Sequence, residues 1–120
     1  MTMDVGTRSW LRAEGLVVLA VAVLSYAHLD GSWWMFALLF LAPDISFGGY
    51  LAGPKVGAVV YNLFHTYATP LATLAAGVLS GSSVCIQVAI IWIAHIGLDR
   101  LLGYGLKSAE GFRNTHLGQL

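Results

Sequence analysis

The sequence predicts an all-α integral membrane protein, a four-helix transmembrane bundle with short loops and both termini cytoplasmic. Three observations carry this expectation. Of 120 residues, 58% are hydrophobic and 10% charged, where a soluble domain carries about a quarter charged residues; the mean hydropathy is +0.75. From Val56 to Leu98 no Asp, Glu, Lys or Arg occurs, which leaves room for two crossings of about 20 residues each. The six Lys and Arg residues all fall on one side of a four-helix topology, and the positive-inside rule makes that side cytoplasmic. The same composition excludes disorder, a disulfide scaffold and a nucleic-acid module with a basic face.

Helix 1 is expected at about residues 11–29, apolar apart from Arg12, Glu14 and a few small polar residues. It resembles a signal peptide in its basic start. Glu14 within the run and the poor cleavage site at Tyr26-Ala27-His28 favour a retained helix. Helix 2 is expected at about 32–52, with Trp33 and Trp34 at the outer interface. Helix 3 is expected at about 55–79. Ser80-Gly81-Ser82-Ser83 then turns the chain into helix 4 at about 83–102. The links at Asp30-Gly31 and Gly53-Pro54 are short, so neighbouring helices run antiparallel. Residues 1–120 form one transmembrane domain, and 103–120 are a cytoplasmic tail. Cys85 reads as a small packing residue, and the 14 glycines let helices approach closely.

Ionisable groups inside membrane spans are costly and need a partner, a cavity or a function. Glu14, Asp44, His65, His95, Asp99 and Arg100 are the candidates. At 1.5 Å per residue Asp44 lies about 16 Å along helix 2, and His65 about 15 Å along helix 3. His95 and Asp99 lie in the second half of the inward-running helix 4. These groups therefore gather between the midplane and the cytoplasmic face. His95 and Asp99 are spaced i, i+4 and share one side of helix 4. Asn62, His65 and Thr69 share a face of helix 3. Pro43 directly precedes Asp44, so helix 2 is expected to kink there.

Three readings fit the cluster. Two His and two Asp are a common ligand set for zinc, manganese or iron, with Glu14 or His116 completing the shell and Asn62 orienting a ligand or water. Asp/His chains also serve as proton or ion paths. Otherwise the cluster hydrogen-bonds across helices and fixes their packing. In the first reading Asp44, His65, His95 and Asp99 are both metal ligands and catalytic groups, and Glu14, Asn62, Arg100, Tyr104 and His116 contact the bound ligand. A non-enzymatic binder of haem, quinone or lipid is the alternative, with the two histidines as haem ligands. The expected partners are the bilayer and a membrane-soluble small molecule, with a homodimer open and no nucleic acid. Gly103-Tyr104-Gly105 is not a potassium filter, because it follows helix 4 and lacks the preceding Thr-Val.

Several motifs together resemble a bacterial membrane family, domain of unknown function 4260. They are Arg12-x-Glu14, Ala42-Pro43-Asp44, Tyr61-Asn62-x-x-His65-Thr66-Tyr67, Trp92-x-x-His95-x-x-x-Asp99-Arg100, Gly103-Tyr104-Gly105-Leu106-Lys107 and Phe112-x-x-Thr115-His116-Leu117-Gly118. The likeness runs from about Arg12 to Gly118. It implies a small four-span protein of the bacterial inner membrane and carries no established activity. Pro43-Asp44, His65-Thr66 and His95-x-x-x-Asp99 are also similar to inner-membrane metal-dependent hydrolases. That likeness implies attack on a membrane-soluble ester or phosphoester. Ser46 stands where that group has a second acidic residue.

Overall fold

Among the described residues, five α-helices and one 3-10 segment stand where the sequence predicts four helices. The computed structural model describes residues 5–103, 107–108, 111–115 and 118–119. The α-helices are α1 (Val5–His28), α2 (Trp33–Phe40), α3 (Pro54–His65), α4 (Ala68–Ser80) and α5 (Ser83–Leu101). The 3-10 segment, Ala42–Ala52, joins α2 to α3. Val5–His28, Trp33–Ala52 and Ser83–Leu101 are each long and apolar enough to cross a membrane.

The expected second helix, 32–52, starts as predicted. Ser32 caps α2, its Oγ accepting from the Met35 N–H. Pro43 then stops it. Proline has no N–H for the Leu39 carbonyl four residues back, and the Leu41 N–H turns to that carbonyl instead. The chain continues in tighter i→i+3 turns, beginning with Asp44 N to Leu41 O at 3.2 Å. A run of 11 such residues is long for this geometry, which seldom exceeds about four. It is held by packing on α3, where the Tyr50 ring lies over Gly57 so closely that no Cβ fits there.

The expected third helix, 55–79, is two helices. Thr66 leaves the helical region at φ −100 and ψ 146, ending α3. α4 restarts at Ala68. Pro70 accounts for the position of the break, because a continuous helix would need its missing N–H to satisfy the Thr66 carbonyl. With 12 and 13 residues, neither piece spans a bilayer alone.

α5 is the element on which the others rest. The predicted turn before it is present: Gly81 adopts the left-handed φ of 72, and Ser82 caps α5 by accepting from the Cys85 N–H at 3.2 Å. α1 lies antiparallel along α5, so its start meets the end of α5. Arg12 Nε donates to the Leu101 carbonyl at 2.8 Å. Tyr26, fully buried near the other end of α1, donates to the Ser32 carbonyl at 2.5 Å and pins the turn into α2. Tyr26→Phe is therefore expected to lower stability by about 0.5–1.5 kcal/mol, measurable by detergent-denaturation titration. Leu16, Val17, Val21 and Leu24 of α1, Trp34 and Leu38 of α2, and Leu79 and Val84 near the α4–α5 turn point outward. An outer surface this apolar suits lipid rather than water.

The tail adds three short antiparallel strands in the order β1-β2-β3, namely Lys107–Ser108, Gly111–Thr115 and Gly118–Gln119. β1 and β2 lie beside α3.

Candidate metal centre

The interruptions of the two helices meet on α5. Asp44 enters from the first turn of the 3-10 segment, one residue after Pro43. His65 is the last residue of α3, one residue before the break. His95 and Asp99 come from one face of α5, as their spacing predicts. The four candidates drawn from three different stretches of sequence thus converge on one point.

His65 is fully buried. Its Nδ1 lies 2.9 Å from the Tyr61 carbonyl. A carbonyl only accepts, so Nδ1 carries the proton, and Nε2 of the neutral ring presents its lone pair to the cluster. The Tyr61 ring stacks on the imidazole at 3.8 Å and 4°, which fixes its plane. The His95 ring meets His65 edge-on at 5.2 Å and Phe40 edge-on at 5.3 Å.

Four atoms face one another. His65 Nε2 is 3.4 Å from Asp44 Oδ1 and 3.4 Å from Asp99 Oδ2. His95 Nε2 is 3.2 Å from Asp44 Oδ1 and 3.4 Å from Asp99 Oδ2. The two Nε2 atoms are 3.3 Å apart, and all four ligand atoms lie within 4.8 Å of one another. For metal–ligand bonds of about 2.0–2.1 Å, the edge of a tetrahedron of ligand atoms is about 3.3–3.4 Å. The group can therefore hold one metal ion.

Hydrogen bonding alone accounts for the arrangement poorly. If both imidazoles were cationic, their two Nε2–H groups would stand only 3.3 Å apart. Asp99 Oδ2 is buried, with each histidine Nε2 at 3.4 Å, long for a charge-assisted hydrogen bond. A buried carboxylate oxygen without a close donor is costly, and a cation at the centre of the cluster would remove that cost. Exposure is uneven: the Asp44 side chain is 44% exposed, while those of Asp99, His95 and His65 are 14%, 4% and 0%. The cluster is thus reached from the Asp44 side.

The haem reading fails on distance. Two axial histidines on one iron place their Nε2 atoms about 4 Å apart on opposite faces of a ring, and 3.3 Å leaves no room for a porphyrin between them.

The remaining candidates stand outside the four-residue cluster. Asn62 is half-buried on α3. Glu14 is exposed and lines a cavity of about 670 Å³ between α1 and the α3–α4 break, together with Trp10, Val17, Thr66, Tyr67 and Arg100. Arg100 packs against the α3–α4 break. It is buried, its Nη2 donates to the His65 carbonyl at 2.8 Å, and its guanidinium lies 5.8 Å from the centre of the Tyr67 ring. Tyr104 and His116 lie outside the described residues. Trp92 is not among the candidates drawn from the sequence, yet its Nε1 donates to the Phe64 carbonyl at 2.6 Å. Thr66 followed by Pro70 is the signal that could have shown a broken helix here, and with it the carbonyls that need such donors.

No curated protein and no solved structure matches this chain. One family model matches residues 8–120, and the chain belongs to that family, described as a domain of unknown function (DUF4260).

Proposed function

We propose that this is a four-span protein of the bacterial inner membrane, with cytoplasmic termini, that binds one divalent metal ion through Asp44, His65, His95 and Asp99. The observation that carries the reading is the spacing of the ligand atoms: five of the six separations are 3.2–3.4 Å, and the sixth, between Asp44 and Asp99, is within 4.8 Å. The five match the edge of a tetrahedral zinc site. Charge supports it too. Two carboxylates and two neutral imidazoles carry a charge of −2, which one divalent ion cancels, and an uncompensated charge in an apolar bundle is costly.

The reading extends to hydrolysis of a membrane-soluble ester or phosphoester. A bound divalent ion would supply Lewis acidity and lower the pKa of a coordinated water. Buried His65 and His95, with Asp99 at 14% exposure, would provide three fixed ligands, as catalytic zinc sites do. Half-exposed Asp44 would hold the ion from the open side of the cluster, where its carboxylate would also be placed to accept a proton from a water.

Elemental analysis of the detergent-purified protein is expected to find one equivalent of metal, lost in His65→Ala and His95→Ala. Absence of stoichiometric metal, with content unchanged in both variants, overturns the proposal. The hydrolytic extension requires that metal-loaded protein cleave a chromogenic acyl or phosphate ester, and that Asp44→Asn cut turnover at least about a hundredfold.

A further inference from the structure

Helix α3 ends at the buried His65, beside α5, and its end is held by side chains. A helix C-terminus leaves its last four carbonyls without intrahelical partners, and in a bilayer each must be satisfied within the protein. The Leu63 carbonyl accepts from Thr69 Oγ1 at 2.6 Å. The next two are met from α5. The Phe64 carbonyl accepts from Trp92 Nε1 at 2.6 Å, and the His65 carbonyl from Arg100 Nη2 at 2.8 Å.

Trp92, His95, Asp99 and Arg100 occur at i, i+3, i+7 and i+8 of α5, so they share one face. That face supplies two members of the ligand cluster and two donors to the backbone that carries a third. The donors act on His65 and on the residue before it. The position of His65 relative to His95 and Asp99 is therefore set by two directed bonds at the break. Arg100 suits the task doubly: a cation is favoured at a helix C-terminus, and its planar fork reaches a carbonyl while lying over the Tyr67 ring. Trp92 combines its N–H with stacking on Phe64, ring centres 5.6 Å apart.

We infer that Trp92 and Arg100 are positioning residues: they hold the broken end of α3 so that His65 meets the two α5 ligands at coordination distance. The inference rests on the metal reading only where a metal reports it. Outer partners that orient ligands typically change metal affinity 10- to 100-fold when removed.

The test uses Co²⁺ as the probe and two mild variants. Trp92→Phe keeps the ring and loses the N–H; Arg100→Lys keeps the charge and loses the fork. Each is expected to weaken Co²⁺ binding at least about tenfold and to lower the intensity of the tetrahedral Co²⁺ visible bands. A structural role alone would lower thermal stability and leave the spectrum of bound Co²⁺ unchanged.

A second measurement needs no metal. Spin labels at exposed positions 63 on α3 and 84 on α5, introduced as Leu63→Cys and Val84→Cys with Cys85→Ala, report the α3–α5 distance. A narrow distribution that broadens in Trp92→Phe and Arg100→Lys supports the inference. An unchanged distribution overturns it, as does unchanged Co²⁺ affinity and spectrum. If the parent protein binds no Co²⁺, the metal reading is what fails, and the label distances alone decide the positioning role.

Discussion

Zinc added to metal-free protein at pH 8 is expected to stabilise it by about 4 kcal/mol at a thousandfold excess over the dissociation constant, and Asp99→Asn is expected to abolish that gain. The physical basis is the charge at the cluster. The metal-free centre gathers two aspartates and two histidines within 4.8 Å, and carboxylates this close repel one another. A divalent ion turns that repulsion into coordination. Asp99→Asn removes one charge at constant volume, so the metal-free variant should be as stable as the parent or more so. A cluster that only hydrogen-bonds predicts the reverse: the variant loses an acceptor and melts earlier, with or without zinc. Thermal unfolding of both proteins in detergent, with chelator and with zinc, separates the two by sign. A zinc-independent midpoint in the parent would sink the metal reading.

The four clustered residues were legible because of where they stand, not because of any local motif. An Asp or His in an apolar span costs several kcal/mol unless it is partnered, so a sequence with few charges marks its own polar centre. The i, i+4 spacing of His95 and Asp99 needed only helical geometry, and α5 supplies it unbroken. Pro43 likewise announced a disturbance beside Asp44. The structure shows more than a kink, because the helix changes type and stays in 3-10 turns to Ala52. Nothing local in Ile45–Tyr50 demands that. It comes from packing on α3, where Tyr50 lies over Gly57, and such tertiary constraints are invisible to periodicity.

The α3–α4 break was missed for a related reason. Asn62, His65 and Thr69 keep helical spacing straight through Thr66, so the pattern reads as one helix. Pro70 contradicted it, but one proline in a membrane span is often tolerated. Trp92 and Arg100 could not be assigned before the break was known, since the carbonyls they serve exist as free acceptors only because α3 ends there. Arg100, expected to contact a bound ligand, is instead buried against this backbone. Charge position predicts depth, and it does not predict a partner made by an irregular backbone.

Gly97→Val is expected to unfold the protein or to leave too little folded material to purify. The α1–α5 contact is a backbone-to-backbone approach at Gly15 and Gly97. A Cβ at Gly97 would lie 2.9 Å from both the Gly15 carbonyl oxygen and the Leu19 nitrogen. One at Gly15 would lie 2.7 Å from the Gly97 carbonyl oxygen and 2.6 Å from the Arg100 Cβ. These neighbours are main-chain atoms and the root of a buried arginine, so no flexible side chain can yield. Membrane helices associate through such close packing, with little hydrophobic drive between them. Overpacking a fitted contact costs about 1–3 kcal/mol even where side chains can shift, and here the whole helix must move. The consequence reaches the centre, because Gly97 lies between His95 and Asp99 on α5 and Gly15 packs against the stem of Arg100. Gly97→Ala grades the effect. Its single methyl still meets backbone at 2.9 Å, so it should fold with a lowered midpoint and weaker metal binding. Size-exclusion profiles and thermal midpoints of the two variants measure this directly. A Gly97→Val protein that elutes as the parent does, with its midpoint unchanged, would show that α1 does not pack on α5 through these glycines.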